Sequence, residues 1–211
     1  MVTAAAAYML GSIPTGFLAG KAKGIDIRTV GSGNIGATNV FRSLGKTAGT
    51  LVLLADAAKG FLACLLLPKL ALLLAGSGAE DSGSLSQHLA MVGGLMAILG
   101  HNYTCWLRFK GGKGIATTAG VFLALAPLAI AMLVVLWAVV FAVTRYVSVA
   151  SIASAVGLPI TVGLTGGHPV LTGLSVGLGA LAIYKHKANL RRLRDGTEHR
   201  FGQKKNPEET T

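Results

Sequence analysis

Residues 115 to 144 carry no charged side chain, and the same holds for 2 to 20, 85 to 107 and 146 to 184. Such runs outlast the core helix of a soluble domain and match the roughly 20 apolar residues that a helix needs to cross a bilayer. Composition agrees: 52% of the residues are hydrophobic and 13% charged, against about 25% charged in soluble domains. A water-soluble fold could not hide that surface, so lipid is the predicted solvent. The first run passes into a polar glycine-rich segment without a small-residue cleavage site, and it reads as a retained helix rather than a removed leader. The 29 glycines suit helices packed closely in lipid, where small residues let backbones approach. Cys64 and Cys105 lie in apolar segments without Cys-x-x-Cys or Cys/His spacing. They are expected to be buried, reduced thiols, with no metal site.

Helices are expected near 2 to 20, 47 to 75 and 88 to 107. Residues 115 to 143 contain Pro127 and read either as one kinked helix or as two short ones meeting there. At about 1.5 Å per residue the stretch reaches roughly 43 Å, too short for two full crossings of a hydrocarbon layer about 30 Å thick. Charge points the other way. Two helices place the basic tail from Lys185 to Lys205 on the same side as Lys21, Lys23, Arg108 and Lys110, leaving only Lys69 among the 19 Lys and Arg toward the outside. The loops at 76 to 87 and 165 to 169 hold no Lys or Arg. The predicted fold is an all-α integral membrane protein with seven transmembrane or partly spanning helices, six being the alternative. The amino terminus is expected outside, the carboxyl terminus in the cytoplasm, and the last two helices near 146 to 164 and 170 to 184. Residues 1–200 read as a single transmembrane domain and 201–211 as a flexible polar tail.

The net charge of +11 attracts anionic headgroups and soluble anions, each juxtamembrane Lys or Arg contributing about 1 kcal/mol at the surface. Nucleic acid is excluded as a partner, because the charges flank membrane segments and no aromatic-basic recognition module is present. No obligate protein partner is evident. Three polar segments fall on the predicted cytoplasmic side: Gly31 to Asn39 with Arg42, Phe109 to Gly114, and His186 to Glu198. Each joins glycine or amide groups to cations. Glycines let backbone N–H groups turn inward as an anion nest, a following helix adds its positive end, and Arg or Lys neutralises phosphate. The first segment contains G-x-G-x-x-G, yet a dinucleotide site requires a preceding strand, and Ala4 to Ala19 reads as a membrane helix. The second fails as a Walker loop because Gly114, not Ser or Thr, follows Lys113.

Ser32-Gly33-Asn34-Ile35-Gly36-Ala37-Thr38-Asn39 with Arg42, Gly100-His101 with Phe109-Lys110-Gly111-Gly112-Lys113-Gly114, and His186, Asn189, Arg192, Leu193, Gly196 and Glu198 closely resemble the three motifs of the bacterial PlsY family. Those enzymes are acyl-phosphate:glycerol-3-phosphate acyltransferases. The resemblance extends to Leu10-Gly11-Ser12-Ile13-Pro14, Asp56 with Lys59-Gly60, and Tyr146-Val147-Ser148, so it covers nearly the whole chain. Thr104 departs from the family's usual proline, and Lys187 stands where arginine is frequent. The resemblance implies transfer of an acyl group from acyl phosphate to the 1-hydroxyl of glycerol 3-phosphate, giving lysophosphatidic acid and phosphate, without a cofactor. It also implies a multi-pass protein of the bacterial cytoplasmic membrane, bordered by lipid, with its active site facing the cytoplasm.

The residues suit that chemistry. Two phosphate-bearing substrates explain three cationic segments beside only eight Asp and Glu. No Ser-His-Asp constellation is apparent, so no acyl-enzyme is required. The His-x4-Asp pattern of acyl-CoA-dependent enzymes is absent too. Lys113, Arg42, Ser151, His186 and Asn189 are the candidate catalytic residues. Candidates for substrate binding are Ser32, Gly33, Asn34, Gly36, Thr38, Asn39, His101, Lys110, Gly111, Gly112, Gly114, Ser148, Arg192 and Glu198. Simpler roles compete. Ser32, Asn34, Thr38 and Asn39 equally suit a helix cap or turn, Ser148 and Ser151 suit helix-to-helix hydrogen bonds, and Asp56 with Lys59 suits a structural ion pair. A transporter or binding protein for a phosphorylated metabolite would use the same glycine nests and cations, although no internal repeat supports one.

Overall fold

The computed structural model describes residues 2–74, 76 and 82–202. Among these residues all regular structure is helical. Contacts divide the chain into two compact units, one ending at Leu128 and the other beginning at Ala129.

The first unit contains α1 (Val2–Ser12), α2 (Thr15–Lys21), α3 (Ala37–Leu44), α4 (Lys46–Leu74), α5 (Ser82–Asn102), a 3-10 turn at Cys105–Leu107, and α6 (Ile115–Leu125). The helix expected over 2 to 20 is two helices. Pro14 lacks an N–H and restricts the residue before it, so the helix stops at Ser12 and restarts at Thr15. The helix expected near 88 to 107 begins earlier, at Ser82, and ends at Asn102. Half of the loop expected at 76 to 87 is therefore helical, and 77–81 lie outside the described residues. Pro127 ends α6 by the same constraint on its predecessor, Ala126, which leaves the helix at φ −151° and ψ 68°.

Close backbone approaches hold this unit together. A side chain on Gly60 would strike the backbone of Thr117 on α6, and one on Gly120 would strike Ala57 on α4. Gly11 lies equally close to Ala97, and Gly100 to Tyr8. Small residues at helix crossings supply dispersion contact where lipid offers no hydrophobic drive between helices. At one end Ile27, Ile35, Val40, Val52 and Leu107 form a buried cluster that joins the first polar segment, α4 and the 3-10 turn.

The second unit holds most of α7 (Pro127–Thr144), with α8 (Val147–Leu164), α9 (Pro169–Lys185) and α10 (Lys187–Arg194). α8 and α9 approach where Gly179 faces the Ala155 carbonyl. His168 caps α9 by accepting from the Val170 N–H at Nδ1, with Pro169 in the first turn. Among the described residues three helices, α4, α7 and α8, are long and apolar enough to cross a membrane, while α6 and α9 are shorter apolar helices. Of the polar tail expected at 201–211, Phe201 is docked: its N–H donates to the Arg145 carbonyl at 2.8 Å and its ring meets Phe141 edge-on at 5.5 Å. Residues 203–211 lie outside the described ones.

Candidate functional site

The first polar segment is a glycine-shaped loop leading into α3. Gly31 and Gly33 adopt positive φ, 58° and 68°, where a Cβ would be strained. The Asn34 side chain accepts from the Gly36 N–H at 2.8 Å, setting the turn that opens α3 at Ala37. Asn39 is buried and faces backward. Its Nδ2 donates to the Ile27 and Val30 carbonyls, and its Oδ1 accepts from the Ser32 N–H at 2.9 Å. That amide therefore shapes the loop. Ser32, Gly33 and Thr38 are exposed, and Arg42 is half-buried one turn further along α3. At the loop's base Arg28 grips Asp26 at 2.6 Å. Hydrogen bonding from Arg28 holds the Asp26 carboxyl down at about 2.

The second segment folds back onto the end of α5. Gly111 N–H donates to the Asn102 carbonyl at 3.2 Å, and Gly112 N–H to the His101 carbonyl at 3.0 Å. Side chains on Gly111 or Gly112 would strike His101, and one on Gly114 would meet Asn102 Oδ1 at 2.7 Å. The glycines are there because the loop lies flat against α5. Gly114, at φ 79°, is the residue before α6. Lys113 is thus a half-buried cation at the N-terminal end of a helix whose first N–H groups have no side-chain cap. Lys110 is exposed. Thr104 adopts φ −63°, the value a proline would impose, and its hydroxyl donates to the Ser12 carbonyl at 2.6 Å.

Beneath this loop lies a buried polar network. Asp56 pairs with Lys59 at 2.8 Å, accepts from the Thr15 hydroxyl at 2.6 Å, and stands 3.5 Å from His101 Nδ1. Lys59 also donates to the Ile13 carbonyl at 3.0 Å. His101 therefore lies between an ion pair and the glycine loop, in a supporting position. The first two segments share one end of the unit, through Leu107 packed with Ile35 and Val40.

In the second unit His186, Asn189 and Arg192 recur every third residue through α10 and its cap. The chain turns at Gly196 (φ 69°) and returns Glu198 to that face. Glu198 is buried and accepts from Asn189 Nδ2 and Arg192 Nε, each at 2.7 Å. Burial alone would raise this carboxyl. The Asn189, Ser148 and Arg192 side chains together outweigh it and leave the group below the ordinary carboxylate value. The Ser148 hydroxyl is buried outside good hydrogen-bond geometry. His186 Nδ1 faces the Ala182 carbonyl at 2.7 Å. A carbonyl can only accept, so Nδ1 carries a proton. Ser151 lies one turn along α8 from Ser148 and accepts from Trp137 Nε1 at 3.4 Å.

Thr15 and Trp137 are supporting groups that the sequence alone did not single out. A tryptophan in an apolar run signals a buried N–H needing an acceptor, but not which hydroxyl supplies it. Cys64 is buried and Cys105, on the 3-10 turn, is half-buried; both are free thiols. No group of three or more His, Cys, Asp or Glu able to hold a metal occurs among the described residues.

The family profile for glycerol-3-phosphate acyltransferase matches residues 1–196. A glycerol-3-phosphate acyltransferase of Geobacter sulfurreducens is 45% identical over 201 residues, 95% of this chain and 97% of that one. Its Geobacter metallireducens counterpart is 48% identical over 197 residues, 93% and 95% of the two chains. Two crystal structures of PlsY, an integral membrane glycerol 3-phosphate acyltransferase, are also similar. The glycerol 3-phosphate form superposes with a TM-score of 0.83 at 38% identity, and the lysophosphatidic acid form with 0.81 at 37%. Each comparison covers 95% of this chain and 94% of the other.

Proposed function

The chain belongs to the glycerol-3-phosphate acyltransferase family, and we propose that it transfers a fatty acyl group from acyl phosphate to the 1-hydroxyl of glycerol 3-phosphate. This makes lysophosphatidic acid, the first acylated product in phospholipid synthesis, and releases phosphate. The observation that carries this reading is the likeness, over 95% of the chain, to PlsY structures in glycerol 3-phosphate and lysophosphatidic acid forms. The acyl-phosphate donor is supported by chemistry. An acyl phosphate is already activated, so the protein has to supply position and charge rather than a nucleophile.

In the proposed step the hydroxyl oxygen attacks the acyl carbonyl carbon and the carbon–oxygen bond to phosphate breaks. The departing phosphate takes the hydroxyl proton. Lys113 stabilises the charge that develops, aided by the positive end of α6. Arg42 neutralises phosphate in the first unit, with Ser32, Gly33, Asn34, Gly36 and Thr38 offering hydroxyl, amide or backbone groups beside it and Asn39 setting their loop. Lys110 adds surface charge, and Gly111, Gly112 and Gly114 with His101 fix the Lys113 loop. In the second unit His186, Asn189 and Ser151 are assigned to the glycerol 3-phosphate hydroxyl and phosphate. Ser148, Arg192 and Glu198 hold them in register. The family profile's run through residue 196 supports treating 1–200 as one functional domain. We further place the enzyme in the bacterial inner membrane with seven crossing or partly crossing helices, its amino terminus outside and its site and carboxyl terminus in the cytoplasm.

Purified protein in detergent should form lysophosphatidic acid and equimolar phosphate from acyl phosphate and glycerol 3-phosphate, as read by mass spectrometry. Product from acyl-CoA instead would overturn the donor assignment, and a trapped acylated Ser or Cys would overturn direct attack.

A further inference from the structure

The turn between α5 and the glycine loop displays side chains that a water-facing turn has no use for. Trp106 and Phe109 are 61% and 63% exposed, and Arg108 and Lys110 beside them are exposed as well. Arg108 and Phe109 are consecutive left-handed residues, at φ 54° and 60°. This conformation is uncommon for side chains other than glycine, asparagine or aspartate, and it persists only where the surroundings fix it. They do so here. Phe109 N–H donates to the Thr104 carbonyl at 2.9 Å, and Lys110 N–H to the Leu107 carbonyl at 3.1 Å. Leu107 is sunk among Ile27, Ile35, Val40 and Val52. The strained turn thus buries Leu107 and holds its aromatic neighbours outward.

The depth of the turn follows from α4. That helix starts at Lys46, and Leu51, Leu53 and Leu54, flanking Val52, are 61%, 48% and 59% exposed. Outward leucines on a membrane-crossing helix face lipid. Val52, which contacts the Leu107 cluster, lies about 9 Å along the axis from Lys46. Headgroup layers account for only about 5–7 Å on each side of the hydrocarbon. The turn therefore lies near the boundary between headgroups and acyl chains. Tryptophan favours that level, and cations there meet anionic headgroups.

We propose that Cys105–Lys110 is an interfacial anchor, with Trp106 and Phe109 seated at the headgroup–acyl boundary of an anionic bilayer and Arg108 against its headgroups. The anchor ties the backbone leading into Gly111–Gly114 to the membrane surface. This inference rests on the membrane reading and is independent of the acyl donor or the reaction.

Trp106 and Trp137 are the two tryptophans of the chain, so Trp137→Phe leaves Trp106 as the sole indole. That variant is reconstituted into phosphatidylcholine–phosphatidylglycerol vesicles with bromine placed shallow or deep in the acyl chains. The expected result is blue-shifted emission, strong loss of intensity with shallow bromine, weaker loss with deep bromine, and little quenching by aqueous acrylamide. Arg108→Gln should shift emission to the red when phosphatidylglycerol is present and leave it unchanged in phosphatidylcholine alone. Emission typical of water with full acrylamide quenching would overturn the anchor and leave the turn to a soluble protein partner. Strongest quenching by deep bromine would overturn it as well. If Trp137→Phe fails to fold, the difference between the wild-type signal and that of Trp106→Phe gives the same readout.

Discussion

Lys113 and Glu198 are both charged residues of the proposed machinery, and their substitutions should differ. Lys113 lies half-buried on a loop held by its glycine neighbours, so Lys113→Ala should leave the fold intact. Turnover should fall by about 100-fold or more, the usual cost of removing one charge-stabilising donor. The check is kcat on protein whose thermal unfolding matches wild type. Glu198 contributes to the pH dependence of stability. Its folded carboxyl lies below the ordinary value, so its contribution is complete above about pH 4.3, the unfolded value, and is lost as pH falls through the folded one. Stability from this group should be flat between pH 7 and 5 and decline only in stronger acid. Glu198→Gln should remove that acid-side decline while lowering stability at neutral pH, both read from thermal unfolding across pH. The sequence displays these cations and glycines openly, because anion chemistry demands those residue types. It does not display that Asn39 spends its amide on Ile27, Val30 and Ser32. Nor does it display that Thr15 completes the shell of Asp56 41 positions away. Those roles depend on which groups meet in space.

Helices here meet at glycine, and the position of each glycine decides what it tolerates. On Gly120 a Cβ would enter the backbone of Ala57, which no side-chain rotation can move aside, whereas on Gly177 of α9 it would meet nothing within 4 Å. Gly120→Val should separate α4 from α6 and cost about 3 kcal/mol, the upper part of the usual range for overpacking. Gly177→Ala should stay within about 0.5 kcal/mol. Unfolding in detergent compares the two directly, and equal effects would argue against the packing described. The Asp56–Lys59 pair gives a second element-scale test. Removing one partner strands a buried charge, at about 3–5 kcal/mol, whereas replacing both with apolar groups costs much less. Asp56→Leu combined with Lys59→Met should therefore be more stable than either single variant, as a double-mutant cycle would register. Apolar runs foretold the long helices because lipid imposes length and composition together. They foretold neither the stop at Pro14 nor the short α3. The first break depends on one residue, and α3 is amphipathic, buried through Asn39 and Val40 while Thr38 faces out.

One short helix decides how many times the chain crosses the membrane. α6 has 11 residues, about 16 Å of rise, which is half of a hydrocarbon layer about 30 Å thick. If α6 and α7 count as separate passes, the crossings number seven and the basic carboxyl-terminal segment returns to the cytoplasm. If they make one pass, the segment is exported with its cations, against the preference that keeps Lys and Arg inside. Cysteine labelling separates the cases. In a background lacking Cys64 and Cys105, Gly76→Cys should react with a membrane-impermeant maleimide in right-side-out vesicles, and Arg200→Cys only in inverted ones. Labelling of both from the same side would establish the six-pass count. It would also move Arg192 and Glu198, along with His186 and Asn189, to the face opposite the substrates, and the residue assignments in the second unit would fall with the topology.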